Sequence, residues 1–241
     1  LVGSQSSNIN KKLFYMRRVF LSCLLFQLLC ACMLSAQKKV VNRIKQGEKQ
    51  TIVVYGTSLC ALPDGTLTWP AMLQDSINAI YPDAVEVINS ARSAMWSTWG
   101  VQNLDEKVLS KKPDMVLIEF GMNDAYLPYH TSLEVCRINV EYMIDRIKEA
   151  NPQCEIVLQI MNMPIREHLE KRPHINAYYD VYRKIARKRN LKLIDHYAYW
   201  TGILKQGEEE FLKYVPDGIH PRALAWKTYT VPFILKELGI K

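Results

Sequence analysis

A chain of 241 residues, 49% of them apolar, has room for one α/β domain and its trimmings. The formal charge of +7 is concentrated at the start, where Lys11, Lys12, Arg17 and Arg18 stand in the first 36 residues without an acid. The rest is close to balance, and no Lys/Arg run is dense enough to follow a phosphate backbone, which argues against a nucleic-acid partner.

The chain opens with a segment that does not belong to the fold. Leu1 to Tyr15 precedes a credible start at Met16 and reads as upstream sequence. Met16-Arg-Arg18 supplies a basic region, and Val19 to Leu29 an apolar run too short to span a bilayer. Residues 16–36 are therefore expected to be a signal peptide. Two exits are open. Cleavage after Ala36, in Leu34-Ser-Ala-Gln37, would release a periplasmic or extracellular protein. Leu29-Cys-Ala-Cys32 resembles a lipobox, and Cys32 would then carry a lipid anchor. An uncut N-terminal anchor is the remaining alternative. Of six cysteines, Cys23, Cys30 and Cys32 fall here. Cys60, Cys136 and Cys154 are odd in number and widely spaced, which suits neither a disulfide framework nor a zinc site.

Residues 37–50 read as a polar linker, and the domain is expected over 51–241. Ile52–Tyr55 is an apolar, mostly β-branched run, the pattern of a strand covered on both faces. It ends at Gly56-Thr-Ser58. Trp69 to Tyr81 has helical spacing through Trp69, Met72, Leu73, Ile77 and Ile80. Val85–Ile88 is a second strand, ending at Asn89. Thr98 to Leu109 reads as helix. Met115–Phe120 is the third strand and Leu133–Ala150 a long helix. Ile156–Ile160 is the fourth strand, His174–Arg189 a helix, and Leu191–Ile194 the fifth strand. Ala223–Leu238 closes as a helix that Pro232 should bend or interrupt. Five strands alternating with helices imply a parallel sheet with helices on both faces, a three-layer αβα sandwich. A flavodoxin-like strand order, 2-1-3-4-5, is the expectation for that class.

In such a sheet, ligands bind beyond the carboxyl ends of the strands. The first strand delivers Ser58 there, either as the cap of the next helix or as a nucleophile. Cys60, two residues on, is better read as a small buried apolar residue. The second strand delivers Asn89-Ser-Ala-Arg-Ser-Ala94, and the third Gly121-Met-Asn-Asp124. After the fifth comes Val215-Pro-Asp-Gly-Ile-His-Pro221. At that spacing the Asp217 carboxylate can accept from one ring nitrogen of His220 and leave the other to deprotonate a hydroxyl. His130, His168, His174 and His196 are rivals. Asp195-His196 is a poorer pair, because adjacent residues in an extended segment point apart.

In order and placement these blocks resemble the SGNH (GDSL-like) hydrolases, from about Thr51 to the end of the chain. The resemblance implies serine esterase chemistry without metal or cofactor. It implies Ser58 as nucleophile, His220 as general base and Asp217 as its orienter. The oxyanion donors would be the backbone N–H groups of Ser58 and Ala94 and the side-chain amide of Asn123. The sequence departs from the family pattern twice. Thr57 replaces the usual aspartate, and Ala94 the second-block glycine. If position 94 needs a positive φ, alanine is strained there; if not, its N–H serves equally. Arg92, Trp96, Trp99 and Tyr126 are substrate-binding candidates. The rings could stack on sugar faces or simply pack, and Arg92 could meet an anionic substrate group or a nearby carboxylate. The expected substrate is a small-molecule or glycan ester, an acetylated carbohydrate first. Alternatives are a lipase, thioesterase or lysophospholipase acting on longer chains, and a non-catalytic glycan-binding relative. A nucleotide-binding flavodoxin-like protein would need a Gly-rich phosphate loop, which Gly56-Thr-Ser58 does not continue into.

Overall fold

A computed structural model describes residues 39–240. The leader and the Ala36 and Cys32 exits lie outside the described residues. In chain order the elements are α1 (Val40–Lys45), β1 (Gln50–Gly56), α2 (Ser58–Ala61), α3 (Trp69–Asn78), β2 (Val85–Asn89), α4 (Ser97–Gln102) and α5 (Leu104–Lys107). There follow β3 (Met115–Glu119), α6 (Gly121–Asp124), α7 (Leu133–Ala150), β4 (Glu155–Ile160), α8 (Glu167–Glu170) and α9 (Ile175–Arg189). The last are β5 (Lys192–Asp195), α10 (Tyr197–Lys205), α11 (Glu208–Tyr214), α12 (Ala223–Ala225) and α13 (Val231–Leu238).

The five strands form one parallel sheet in the order β2-β1-β3-β4-β5. The register sets Ile52 beside Met115 and Gly56 beside Glu119, with Ile118 beside Leu158. The unbroken apolar runs have a direct cause in the two faces. Val53, Tyr55, Val116 and Ile118 point into a core shared with Trp99, Phe120, Val140, Ile144 and Tyr182. Ile52, Val54, Met115 and Leu117 point into a second core with Trp69, Leu73, Trp200, Phe211, Trp226 and Ile234. Helices α4, α7 and α9 therefore cover one face, and α1, α3, α10, α11 and α13 the other.

The segment read as a linker is partly structured. Its helix α1 buries Val40 and Ile44 completely, and β1 begins at Gln50 rather than Thr51. Both apolar residues lie on one turn's face (i, i+4), which is enough to dock a short helix. The region 98–109 is two helices, α4 and α5, broken at Asn103. Around Pro232, α12 passes into a π-helical stretch, Trp226–Thr230, before α13 begins. The π-helical stretch just before Pro232 is the interruption expected of a residue with no N–H for the helical ladder.

Gly56 has a different role from the one a tight turn would give it. Its φ is not positive; a Cβ there would stand 2.4 Å from the Glu119 carbonyl oxygen. Glycine lets β1 and β3 close up where the first functional loop leaves the sheet.

Candidate active site

Four loops at the carboxyl edge of the sheet build one cleft of ≈ 340 Å³, lined by Ser58, Ala94, Asn123, Tyr126, Arg172 and His220 among others. The first loop turns at Thr57, whose side chain accepts from the Leu59 N–H at 3.2 Å and so caps α2. The same hydroxyl donates to Glu119 Oε2 at 2.7 Å, and the Thr57 N–H reaches that oxygen at 3.3 Å. Glu119 is buried, and burial raises its carboxyl to about 7. This explains the threonine. An aspartate at position 57 would set a second carboxylate against Glu119, whereas a hydroxyl can donate to it.

Ser58 opens α2, with its hydroxyl 2.9 Å from His220 Nε2. His220 Nδ1 stands 2.7 Å from Asp217 Oδ2. A carboxylate can only accept, so Nδ1 carries the proton and Nε2 is left to receive one from Ser58. The other Asp217 oxygen accepts the backbone N–H groups of Ile219 at 3.1 Å and His220 at 2.8 Å. Burial alone would raise the Asp217 carboxyl, but these donors and the imidazole hold it below its usual range. Gly218, at φ +83°, makes the turn that brings the two side chains together. The neighbouring loop secures it. Ile165 N–H donates to the Gly218 carbonyl at 2.9 Å, and Asn162 Nδ2 to that of Ile219 at 3.0 Å.

The second loop is tied to α2, since Asn89 Nδ2 donates to the Cys60 carbonyl at 2.8 Å. Ala94 takes φ +60°. The conformation is the left-handed one, so the alanine is strained, at a cost of roughly 1–2 kcal/mol. Its carbonyl accepts the Tyr129 hydroxyl at 2.8 Å, which helps hold the bend. Among the described hydrogen bonds, no acceptor faces the backbone N–H of Ser58 or of Ala94. The third loop forms α6, where Asn123 Nδ2 donates to the Met95 carbonyl at 2.9 Å. One N–H of that amide remains uncommitted.

The substrate-binding candidates separate. Tyr126 lines the cleft. Trp96 stacks on Tyr129, ring centroids 4.4 Å apart, and does not itself line it. Trp99 is a core residue packed against Tyr55 and Phe120; α4 turns it into the layer beneath the loop. Arg92 is exposed and is not among the residues that line the cleft, and no carboxylate among the described residues pairs with it. Among the rival histidines, His168 lines the cleft. His196 is buried on Gln159, with its basicity pushed down to about 3 by burial. Asp195 pairs with Arg183 at 2.8 Å instead of with His196. Cys60 is fully buried and its thiol is pushed well up by burial and by Glu119, which leaves it without thiolate character.

Two cleft residues were not legible in the sequence, His168 as a lining residue and Arg172. Both lie on the long connection after β4, where neither hydrophobic period nor motif marks them. The fourth strand end, Asn162, was the available signal.

Known proteins similar to this chain identify its family. Residues 52–225 match the GDSL-like lipase/acylhydrolase family. An arylesterase of Vibrio mimicus is 27% identical over 191 residues, covering 78% of this chain and 88% of that protein. The structure of a lipase/acylhydrolase from Enterococcus faecalis superimposes with a TM-score of 0.67 at 24% identity, over 78% of this chain and 95% of the other. An acetylxylan esterase from Geobacillus stearothermophilus does so with a TM-score of 0.69 at 21% identity, over 81% and 96%. The chain belongs to the GDSL-like lipase/acylhydrolase family and is a hydrolase of ester bonds.

Proposed function

We propose that this GDSL-like acylhydrolase is an exported serine esterase that removes short acyl groups, acetyl first among them, from carbohydrate. The observation that carries the reading is the unbroken chain from Ser58 Oγ through His220 to Asp217. In this mechanism the Ser58 oxygen attacks the ester carbonyl while His220 Nε2 takes its proton. Asp217 holds the tautomer and stabilises the imidazolium. The tetrahedral oxyanion receives the N–H groups of Ser58 and Ala94 and the free N–H of Asn123. Collapse expels the alcohol, protonated by His220, and leaves an acyl-enzyme on Ser58. Water then surrenders a proton to His220 and attacks the acyl carbon; collapse breaks the bond to Ser58 Oγ, which takes the proton back from His220 as the acid leaves. The protein's own groups complete each step.

The short-chain preference is supported by the size of the cleft, ≈ 340 Å³, near the small end for ligand sites. The glycan part draws on the acetylxylan esterase that shares the fold and on the expected leader, Met16 to Ala36. Membrane contact would come only through that leader or a lipid on Cys32. A second reading, longer acyl chains, has one observation in its favour. Leu127 and Leu169, next in sequence to the cleft residues Tyr126 and His168, are 52% and 43% exposed.

The test is hydrolysis of p-nitrophenyl acetate and octanoate, and of acetylated xylan, by the mature protein and by Ser58→Ala. Faster acetate turnover, lost in the variant, with acetate released from the xylan, is the expected result. Octanoate preference would favour the second reading. Equal rates in both proteins would end the serine mechanism, and no turnover of any ester would point to a glycan-binding relative.

A further inference from the structure

Arg172 is 7% exposed, lines the cleft, and has no carboxylate partner among the described residues. Its Nε donates to the Met122 carbonyl at 2.9 Å, Nη1 to that of His168 at 3.4 Å, and Nη2 to Asn123 Oδ1 at 3.3 Å. The guanidinium carbon lies 4.6 Å from the centre of the Tyr126 ring, a favourable cation–π distance. Burial works against this charge; only carbonyl dipoles and ring faces offset the cost.

The amide of Asn123 could in principle sit either way round, since its oxygen and nitrogen are nearly the same size. Here two neighbours choose one orientation. Arg172 can only donate, so it demands Oδ1. The Met95 carbonyl can only accept, so it demands Nδ2. Turned over, the amide would set donor against donor and acceptor against acceptor. Only the observed orientation leaves an N–H for the cleft. The Met95 contact is one hydrogen bond to loop backbone, whereas Arg172 brings a full charge. That charge lies one residue's amide away from where negative charge develops in the reaction, and no carboxylate among the described residues neutralises it.

We infer that Arg172 is a positioning residue of the oxyanion hole: it locks the Asn123 amide with Nδ2 toward the substrate and polarises it for the tetrahedral intermediate. This rests on the reading of Asn123 as an oxyanion donor. Arg172 therefore acts on the transition state, through Asn123, and not on the binding of the ground-state ester. The lack of an acid partner follows from this role, because a carboxylate on Arg172 would cancel the field and compete for its donors.

The experiment is a double-mutant cycle on p-nitrophenyl acetate with Asn123→Ala, Arg172→Met and both together, reading kcat and KM separately. Arg172→Lys, which keeps the charge but not the fork, guards against a Met variant that fails to fold, and thermal unfolding is followed for each protein. Asn123→Ala is expected to lower kcat by about 10²-fold or more. Arg172→Met and Arg172→Lys are expected to lower kcat on the order of tenfold with KM within about twofold. The double variant should be no slower than Asn123→Ala alone, because the two residues act as one unit. Losses that multiply in the double variant, or an Arg172 effect confined to KM, overturn the proposal and leave Asn123 as a donor. Unchanged kcat in Asn123→Ala overturns both, and is recognised by that single variant.

Discussion

At the scale of the residue, Ala94 and Glu119 carry the most consequence. Ala94 is a strained alanine held by a hydrogen bond to its carbonyl from Tyr129. Glycine meets the same backbone without a Cβ, at the expense of a more flexible unfolded chain. Ala94→Gly is therefore expected to stabilise the protein by roughly 0.5–1 kcal/mol and to keep its esterase activity. Denaturant unfolding reads the first and ester turnover the second; a less stable glycine variant would mean the alanine is not strained. Glu119 gives a pH dependence. Its folded value, about 7, lies above the ordinary 4.5, so the folded protein holds that proton more tightly than the unfolded chain does. Stability from this group is complete below about pH 4.5 and is lost as pH rises to about 7, on the order of 3 kcal/mol in all. Glu119→Gln keeps an acceptor for Thr57 and cannot ionise. Its melting temperature should gain on the parent between about pH 5 and about pH 7 and level off above that, and curves that stay parallel throughout would contradict this. Asp124, raised by burial to about 6, repels the Glu119 carboxylate, so the difference between the two proteins reports the coupled pair. The sequence marked Ser58 and Asn123 because each follows a strand and a turn, and Asp217 and His220 because they share one Asp-Gly-Ile-His turn. Arg172 has neither, and Trp99 misled because a ring near a catalytic edge reads the same from sequence whether it faces substrate or core.

At the scale of the element, strands and long helices were legible because their period is set by the two core faces. Leu133–Ala150 is found with the bounds its spacing predicts; the parallel sense of the strands follows from their alternation with helices, whereas the order 2-1-3-4-5 is an expectation for the fold class that the sheet meets. The omissions are elements stabilised by tertiary packing rather than by their own pattern. The helices α10 and α11 dock Trp200 and Phe211 against the back layer, and their sequence offers aromatics and glycines in place of a clean stripe. α1 is six residues long, too short to form alone. It is held by Val40 and Ile44, by a bond from the Val40 N–H to Glu155 Oε1 at 2.6 Å, and by Arg43 to Gln50 at 2.6 Å. A chain beginning at Glu48 should lose roughly 3–6 kcal/mol relative to one beginning at Lys39, from two fully buried side chains. Urea unfolding of the two is the check; equal midpoints would mean that α1 is a passive appendage.

At the scale of the whole molecule, the sheet's function is to fix the ends of its strands. β1 brings Ser58, β2 the Ala94 loop and β3 Asn123. β4 brings the connection that carries Arg172 and braces the Asp217–His220 turn through Asn162 and Ile165. Residues 162 positions apart in the chain thereby meet within 2.9 Å. This is why the Asp217–His220 pair lies far from Ser58 in sequence and why motif order, rather than local pattern, made it visible. The direct measurement of this account is the site of covalent capture. The protein is incubated with diethyl p-nitrophenyl phosphate, digested, and the phosphorylated residue located by fragment-ion mass spectrometry, with His220→Ala beside it. One adduct is expected, on Ser58, formed quickly in the parent and far more slowly without His220. An adduct on Cys60, or capture at Ser58 that is indifferent to His220, would contradict it.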